Sequence, residues 1–397
     1  MNLEEENQQF ERQKPLYKDA NFQIICAVSL MAVLGVASVG PAFPYLAEAL
    51  KVNPKNNGLL VTVFTLPAVI LGPVIGVLAD RLGRKKIIIP SLFLFGIAGT
   101  ACAFARDFNL LLFLRFLQGI GAASLPSLSV TLLGDLYAAD KRTTAMGYNA
   151  SVSSIGTASY PAIGGALATL GWFYPFMLPI VAIPIGLLVL FKLKNPEPKG
   201  NRNLKEYLRN AGKVLKNRQL FGLFIASGAN FFLLYGAYVI YLPQLIKNTF
   251  KQPPWTIGLI LSSVSVALAI TALQLGKISR KYSATTLIRA SFVLFALALF
   301  IVPFVHNIWF LLIPTTIFGV GLGIGLPSTQ TLLAELAPRE YLATILSVNG
   351  TFFGIGQTLG PLLMGIAFGI GGINSVFFAG VGFAIITLIV FRYCTCL

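Results

Sequence analysis

Acid, histidine and cysteine are what this chain has least of: its 397 residues hold 14 Asp and Glu, one histidine and four cysteines. No acid falls in the middle of a long apolar run, since Glu48, Asp135 and Glu335 lie near the ends of theirs. Donor side chains this few and scattered give no metal-ligating cluster and no acid–base pair, so neither catalysis nor a cofactor is expected. A glycine loop closed by Lys and Ser or Thr is also missing, which argues against an ATP-driven machine. The lone histidine, His306, falls in a short break between apolar runs and carries no function by itself. Cys26 and Cys102 sit inside apolar runs as small hydrophobes. Cys394 and Cys396 end the chain as CTCL, whose middle positions are not the aliphatic ones of a prenylation box. Residues 1–20 are too polar for a cleaved signal, so the first apolar run is expected to stay in place.

Apolar side chain is what it has most of. Hydrophobic residues make up 56% and charged residues 11%, with a mean hydropathy of +0.77. One soluble core could not enclose so much, so most of the chain must be solvated by lipid. Crossing the hydrocarbon takes roughly 20 apolar residues as a helix. Twelve stretches qualify: Phe22–Leu46, Gly58–Ala79, Ile87–Ala105, Phe108–Leu133, Thr144–Leu170, Trp172–Leu190, Leu220–Ile246, Ile257–Leu275, Leu287–Val305, Ile308–Leu333, Ala343–Ile370 and Ile373–Phe391. They are too long for strands and lack barrel alternation, so an all-α membrane protein follows.

The net charge of +16 would suggest nucleic acid in a soluble protein. Its distribution says otherwise. With the amino terminus in the cytoplasm, all of the 30 Lys and Arg except Lys51, Lys55, Arg106, Arg115, Lys247 and Lys251 fall on the inner side. That bias puts both termini inside a cell membrane and makes anionic lipid headgroups, not nucleic acid, the partners of the basic segments.

The chain also repeats itself at an offset near 200 residues. Gly76 answers to Gly276, and TLLGDL at Thr131–Leu136 to TLLAEL at Thr331–Leu336. Asn149, Gly156, Pro161 and Gly165 recur as Asn349, Gly356, Pro361 and Gly365, while Pro126-Ser127 meets Pro327-Ser328 with a slip of one. Two pseudo-symmetric six-helix bundles are expected, 22–191 and 219–392. A basic linker, 192–218, with a short surface helix joins them, and segments 1–21 and 393–397 lie in the cytoplasm. Parallel repeats of this kind place a substrate site between the halves at mid-membrane.

Between the second and third spans stands GVLADRLGRKK, Gly76 to Lys86. Gly76 allows close helix approach and Gly83 a tight turn, while Asp80 is a lone acid among Arg81, Arg84, Lys85 and Lys86. The loop resembles the signature loop of the major facilitator superfamily, and the resemblance makes Asp80, Arg81 and Arg84 a conformational latch. The second copy, GKISRKYS, has Arg280 where the acid should be, so the latch is asymmetric. Three further stretches carry the resemblance. LRFLQGIGAA, Leu114 to Ala123, is similar to the family's motif on its fourth helix and assigns Arg115 and Gln118 to coupling or the cavity. Arg115 lies about 12 Å down the helix from Asp107 at ~1.5 Å per residue, where a guanidinium needs a partner, a wet cavity or outward snorkelling. Thr316 stands at the matching place of the second half, allowing the same slip. The fifth span carries Gly147, Gly156, Tyr160, Pro161, Gly164 and Gly165; it resembles the antiporter motif, with Tyr160 in place of a glycine. In the first span LGVASVGPAFP, with Gly35, Pro41 and Pro44, resembles a pattern of twelve-helix drug:proton antiporters.

Asn230, Tyr235 and Tyr238 on the seventh span, and the symmetric pair Asn149 and Asn349, are the candidate substrate contacts. Together these imply a monomeric transporter that exports a small amphipathic or hydrophobic molecule by alternating access, with protons as the counter-ion by resemblance. The missing mid-membrane carboxylate is the objection to proton exchange, because a carrier needs a group that titrates near ambient pH and an arginine does not. Asp80, Asp135 and Glu48 are the acids available. The alternatives are an uncoupled exporter or lipid translocator, and then a transporter-like membrane sensor.

Overall fold

Segments of spanning length have no water to bond their backbones, so each closes its own hydrogen bonds as a helix. The computed structural model describes residues 16–137, 139–194, 209, 212, 214–337 and 342–395. In the first half the spans are α1 (Ala20–Ala49), α2 (Leu59–Leu82), α3 (Arg84–Phe104), α4 (Phe108–Leu136), α5 (Ala139–Leu170) and α6 (Tyr174–Lys192). In the second they are α7 (Arg218–Phe250), α8 (Pro254–Ile278), α9 (Ala284–Phe304) and α10 (Ile308–Leu336). α11 and α12 are the two arms of Leu342–Thr395, separated by non-helical Gly371 and Gly372. Gly372 has a φ of 73°, in the left-handed region where a side chain is strained. Most of the linker, most of the amino-terminal segment and Cys396 lie outside the described residues.

Local chemistry shapes individual spans. Pro41 and Pro44 cannot donate, so α1 stops at Ala37, makes a 3-10 turn over Gly40–Ala42 and resumes at Phe43. α5 is the least apolar span because its hydroxyls sit in the middle. Ser151, Ser154, Thr157 and Ser159 each donate to the carbonyl four residues back, which satisfies them without water. In α7 the helix loosens into a π-turn over Leu234–Tyr241. The repeat is visible in the backbone, since Lys51 after α1 and Lys251 after α7 have φ values of 54° and 55°. Across the halves, α2 packs on α11 and α5 on α8.

Candidate functional site

Two features can carry function: a buried arginine inside the first half, and the seam where the halves meet. Arg115 is completely buried. Its Nε donates to the Leu60 carbonyl on α2 at 3.1 Å, and its Nη1 to the Gly35 carbonyl on α1 and to Gln118 Oε1, both at 2.8 Å. The Gly35 carbonyl is available because α1 bends: the Val39 amide donates to Val36 and not to Gly35. The Phe64 ring lies 4.2 Å from the guanidinium and supplies the aromatic face that a desolvated cation favours. Arg115 therefore does not snorkel, and it pins α1, α2 and α4 together within the first half. Its Nη2 and the Gln118 Nε2 are buried without a protein acceptor, so these two donors remain unspent.

Glycine makes this proximity possible. A Cβ on Gly119 would stand 2.2 Å from the Phe64 carbonyl oxygen, and one on Gly35 would stand 2.5 Å from the Phe64 ring. The second half repeats the packing without the charge. A Cβ on Gly319 would stand 2.4 Å from the Val264 carbonyl, at an offset of 200 from the Gly119 contact. Arg115 thus corresponds to Thr315 and not to Thr316, because no slip has entered the chain at this point. Thr315 is buried and shares its hydroxyl with Ser263 at 2.8 Å.

The seam lies toward the face away from the termini. Lys247 Nζ, from the second half, pairs with the Glu48 carboxylate, donates to the Pro44 carbonyl at 3.2 Å and stands 4.4 Å from the Tyr45 ring. Tyr45 donates to the Gln252 carbonyl, and Asn57 Nδ2 to Gln244 Oε1 at 3.2 Å. Deeper, Thr62 donates to the Thr358 carbonyl and the hydroxyls of Thr65 and Thr358 share a hydrogen bond, both at 2.8 Å. Backbone contacts reinforce these. A Cβ on Gly58 would stand 2.5 Å from the Pro361 carbonyl and one on Gly258 2.3 Å from the Pro161 carbonyl. On Gly165 it would meet Pro254, while within the first half one on Gly164 would fall 1.7 Å from the Ser38 carbonyl of α1. Sequence reasoning missed Tyr45, Asn57, Thr62, Thr65, Gln244 and Lys247. Their only signal was polarity inside or beside an apolar run.

At the terminus side, contacts hold within the first half. Arg84 Nε donates to Asp135 at 3.2 Å, Lys85 to the Leu193 carbonyl, and Tyr137 to the Asp19 carboxylate at 2.7 Å. Burial, with help from Asp19, pushes the Tyr137 phenol well above its ordinary value, so it stays a donor. Gly83 is the single non-helical residue between α2 and α3 with a φ of 97°, and Arg81 is exposed. The surroundings of Gly76 and Asp80 lie outside the described residues.

The other sequence candidates are dispersed. Tyr238 is buried, donates to the Pro314 carbonyl at 3.1 Å and lies against Phe318, which is packing inside the second half. Asn230 is fully buried and donates to Ala226 one turn back. Tyr235 is half-buried beside Phe231. Asn149 and Asn349 are both buried, and each has an unpartnered Oδ1. Gly156 faces Leu30 and Tyr160, while Gly147 has open space beside it.

A family model described as Major Facilitator Superfamily matches residues 25–256 and 224–395. The chain is 29% identical over 358 residues to the bacillibactin exporter of Bacillus subtilis (strain 168), covering 86% of this chain and 88% of that protein. It is 26% identical to multidrug resistance protein 1 of the same organism, covering 93% and 95%. Its fold is similar to that of a bacterial homologue of the human lysosomal transporter Spinster, solved inward-facing and occupied. There the TM-score is 0.80 and the identity 15%, over 96% of this chain and 98% of that one. The nucleoside transporter NupG gives a TM-score of 0.78 at 14% identity, over 94% and 98%.

Proposed function

The chain belongs to the Major Facilitator Superfamily, and on that premise we propose that it exports a small amphipathic or hydrophobic molecule across the cell membrane by alternating access, in exchange for protons. The protein is a multi-pass membrane transporter. The observation that carries export by rocking is the seam: two pseudo-symmetric halves meet through glycine-to-carbonyl contacts at Gly58–Pro361 and Gly258–Pro161, beside the side-chain bonds from Glu48 to Lys247, Asn57 to Gln244 and Thr62 to Thr358. Contacts of that kind form and separate as rigid surfaces. Similarity to an exporter of bacillibactin and to a multidrug resistance protein supports the direction and the substrate class. The excess of basic residues in the terminus-side loops supports cytoplasmic termini, which puts the seam on the outside. A monomer suffices for this cycle, because both sides of the seam belong to one chain.

Proton exchange uses acids at the rims. Glu48 bonds across the halves to Lys247 most strongly while ionised, so outside acid would weaken the seam and outside alkali would keep it closed. Asp135, paired with Arg84, is the acid at the inner rim, and the resemblance adds Asp80 and Arg81 of the loop that holds Arg84.

Proteoliposomes with an imposed pH gradient test the proposal, following fluorescent lipophilic cations or bacillibactin together with internal pH. Substrate movement opposite to proton movement is expected, and Glu48→Gln should remove its dependence on outside pH. Movement indifferent to the gradient would leave export standing and remove the exchange. The absence of any movement would remove both.

A further inference from the structure

We propose that the flank where α2 crosses α11 binds one anionic phospholipid of the leaflet away from the termini, and that the bound lipid favours the sealed arrangement of the halves. A groove of about 330 Å³ runs there, lined by Lys55, Gly58 and Leu59 from the first half and by Leu362, Ile366 and Gly369 from the second. Leu362 and Ile366 are 39% and 56% exposed, so these walls face whatever surrounds the molecule. In a membrane that is lipid. The floor is the cross-half contact itself. A Cβ on Gly58 would stand 2.5 Å from the Pro361 carbonyl, and one on Gly365 would stand 2.7 Å from the Lys55 carbonyl.

The chemistry of the groove is amphipathic. Lys55 is exposed and stands in the 3-10 turn just before α2, at headgroup depth, and its stem passes about 4.0 Å from the place of a Cβ on Gly369. Leu59, Leu362 and Ile366 continue from it as an apolar trough. An ammonium at the end of an apolar trough at this depth fits a phosphate with its acyl chain lying inward.

The other crossing lacks the charge. There Gly258 meets Pro161 as Gly58 meets Pro361, and Gly165 meets the Pro254 carbonyl, but the residue matching Lys55 is Trp255, whose backbone lies against Gly165. An indole anchors a helix at the interface and offers no charge to a phosphate. Because the walls come from both halves, the groove exists only while they touch. A ligand that contacts both binds that state better and shifts the population toward it.

The test uses the full chain in nanodiscs of equal phosphatidylglycerol and phosphatidylethanolamine, with native mass spectrometry to count and identify the lipids it retains. One tightly held lipid is expected, with phosphatidylglycerol preferred about fivefold, the effect of one lysine near an anionic surface. Lys55→Glu should abolish the preference. Gly369→Phe, which fills open space without meeting backbone, should remove the retained lipid whatever its headgroup. Thermal midpoints of both variants show that they fold. Spin labels at Ala49 and Thr249 should report more of the sealed state in phosphatidylglycerol than in phosphatidylethanolamine, and Gly369→Phe should erase that difference. Equal retention of both lipids by the wild type, or variants that retain phosphatidylglycerol as the wild type does, would mean annular lipid only and overturn the site. A labelled pair that does not respond to headgroup would overturn the link to the seam.

Discussion

Arg115 shows what a single buried charge demands of its surroundings. Its desolvation is offset by two backbone carbonyls, one amide side chain and the face of Phe64. Arg115→Ala strands the acceptors Gly35 and Leu60 and opens a cavity beside Phe64. About 2–3 kcal/mol of destabilisation is expected for stranded buried groups, read as a lower thermal midpoint, with at least a tenfold loss of transport. Arg115→Lys should recover little of either, because a point charge does not reproduce a planar fork of donors. The depth of Arg115 was legible from its distance to Asp107. Its partners were not, because a carbonyl freed by a proline-induced bend leaves no mark on the residue that carries it. Phe64 was hidden for a related reason, as one aromatic in an apolar span. The glycines give a sharper contrast. Gly164→Ala should misfold or lose function, since its Cβ would fall on the Ser38 carbonyl, whereas Gly147→Ala meets nothing within 4 Å. Membrane yield and thermal midpoint of the two variants check this.

At the scale of elements, the spans and the repeat were legible because hydropathy and spacing act over many residues at once. Even α5, weak in hydropathy, was found as an apolar stretch of spanning length, Thr144–Leu170. The π-turn in α7 was not, since no residue type encodes it. Neither was the seam: Thr62 and Thr358 are 296 positions apart and Asn57 and Gln244 187, and a lone threonine in a span does not announce a partner. A seam that must open predicts that Thr65→Cys with Thr358→Cys forms a disulfide on oxidation and stops transport, and that reductant restores it. Transport undiminished after full cross-linking would show that α2 and α11 need not part. The terminus-side latch is tested by Asp80→Asn, which should remove most transport while leaving insertion intact. Arg81→Ala should cost more than Arg280→Ala, because only the first copy keeps its acid; equal losses would count against an asymmetric latch.

The whole molecule is two copies of one bundle that have diverged in charge more than in shape. Gly58 and Gly258, Pro161 and Pro361, and Lys51 and Lys251 keep matching geometry. Arg115 and Thr315, Lys55 and Trp255, and Asp80 and Arg280 do not keep matching chemistry. Shape is what rocking requires of both halves, and charge is where each half takes its own part. The most direct test is a pair of distances measured by electron resonance in proteoliposomes, one between labels at Ala49 and Thr249 on the seam side and one between labels at Lys86 and Lys281 on the terminus side. Both positions of each pair are exposed. Acidifying the seam side should lengthen the first distance and shorten the second together, and returning to neutral pH should reverse both. Distances that stay fixed, or that lengthen and shorten in the same sense, would contradict alternating access by rocking halves.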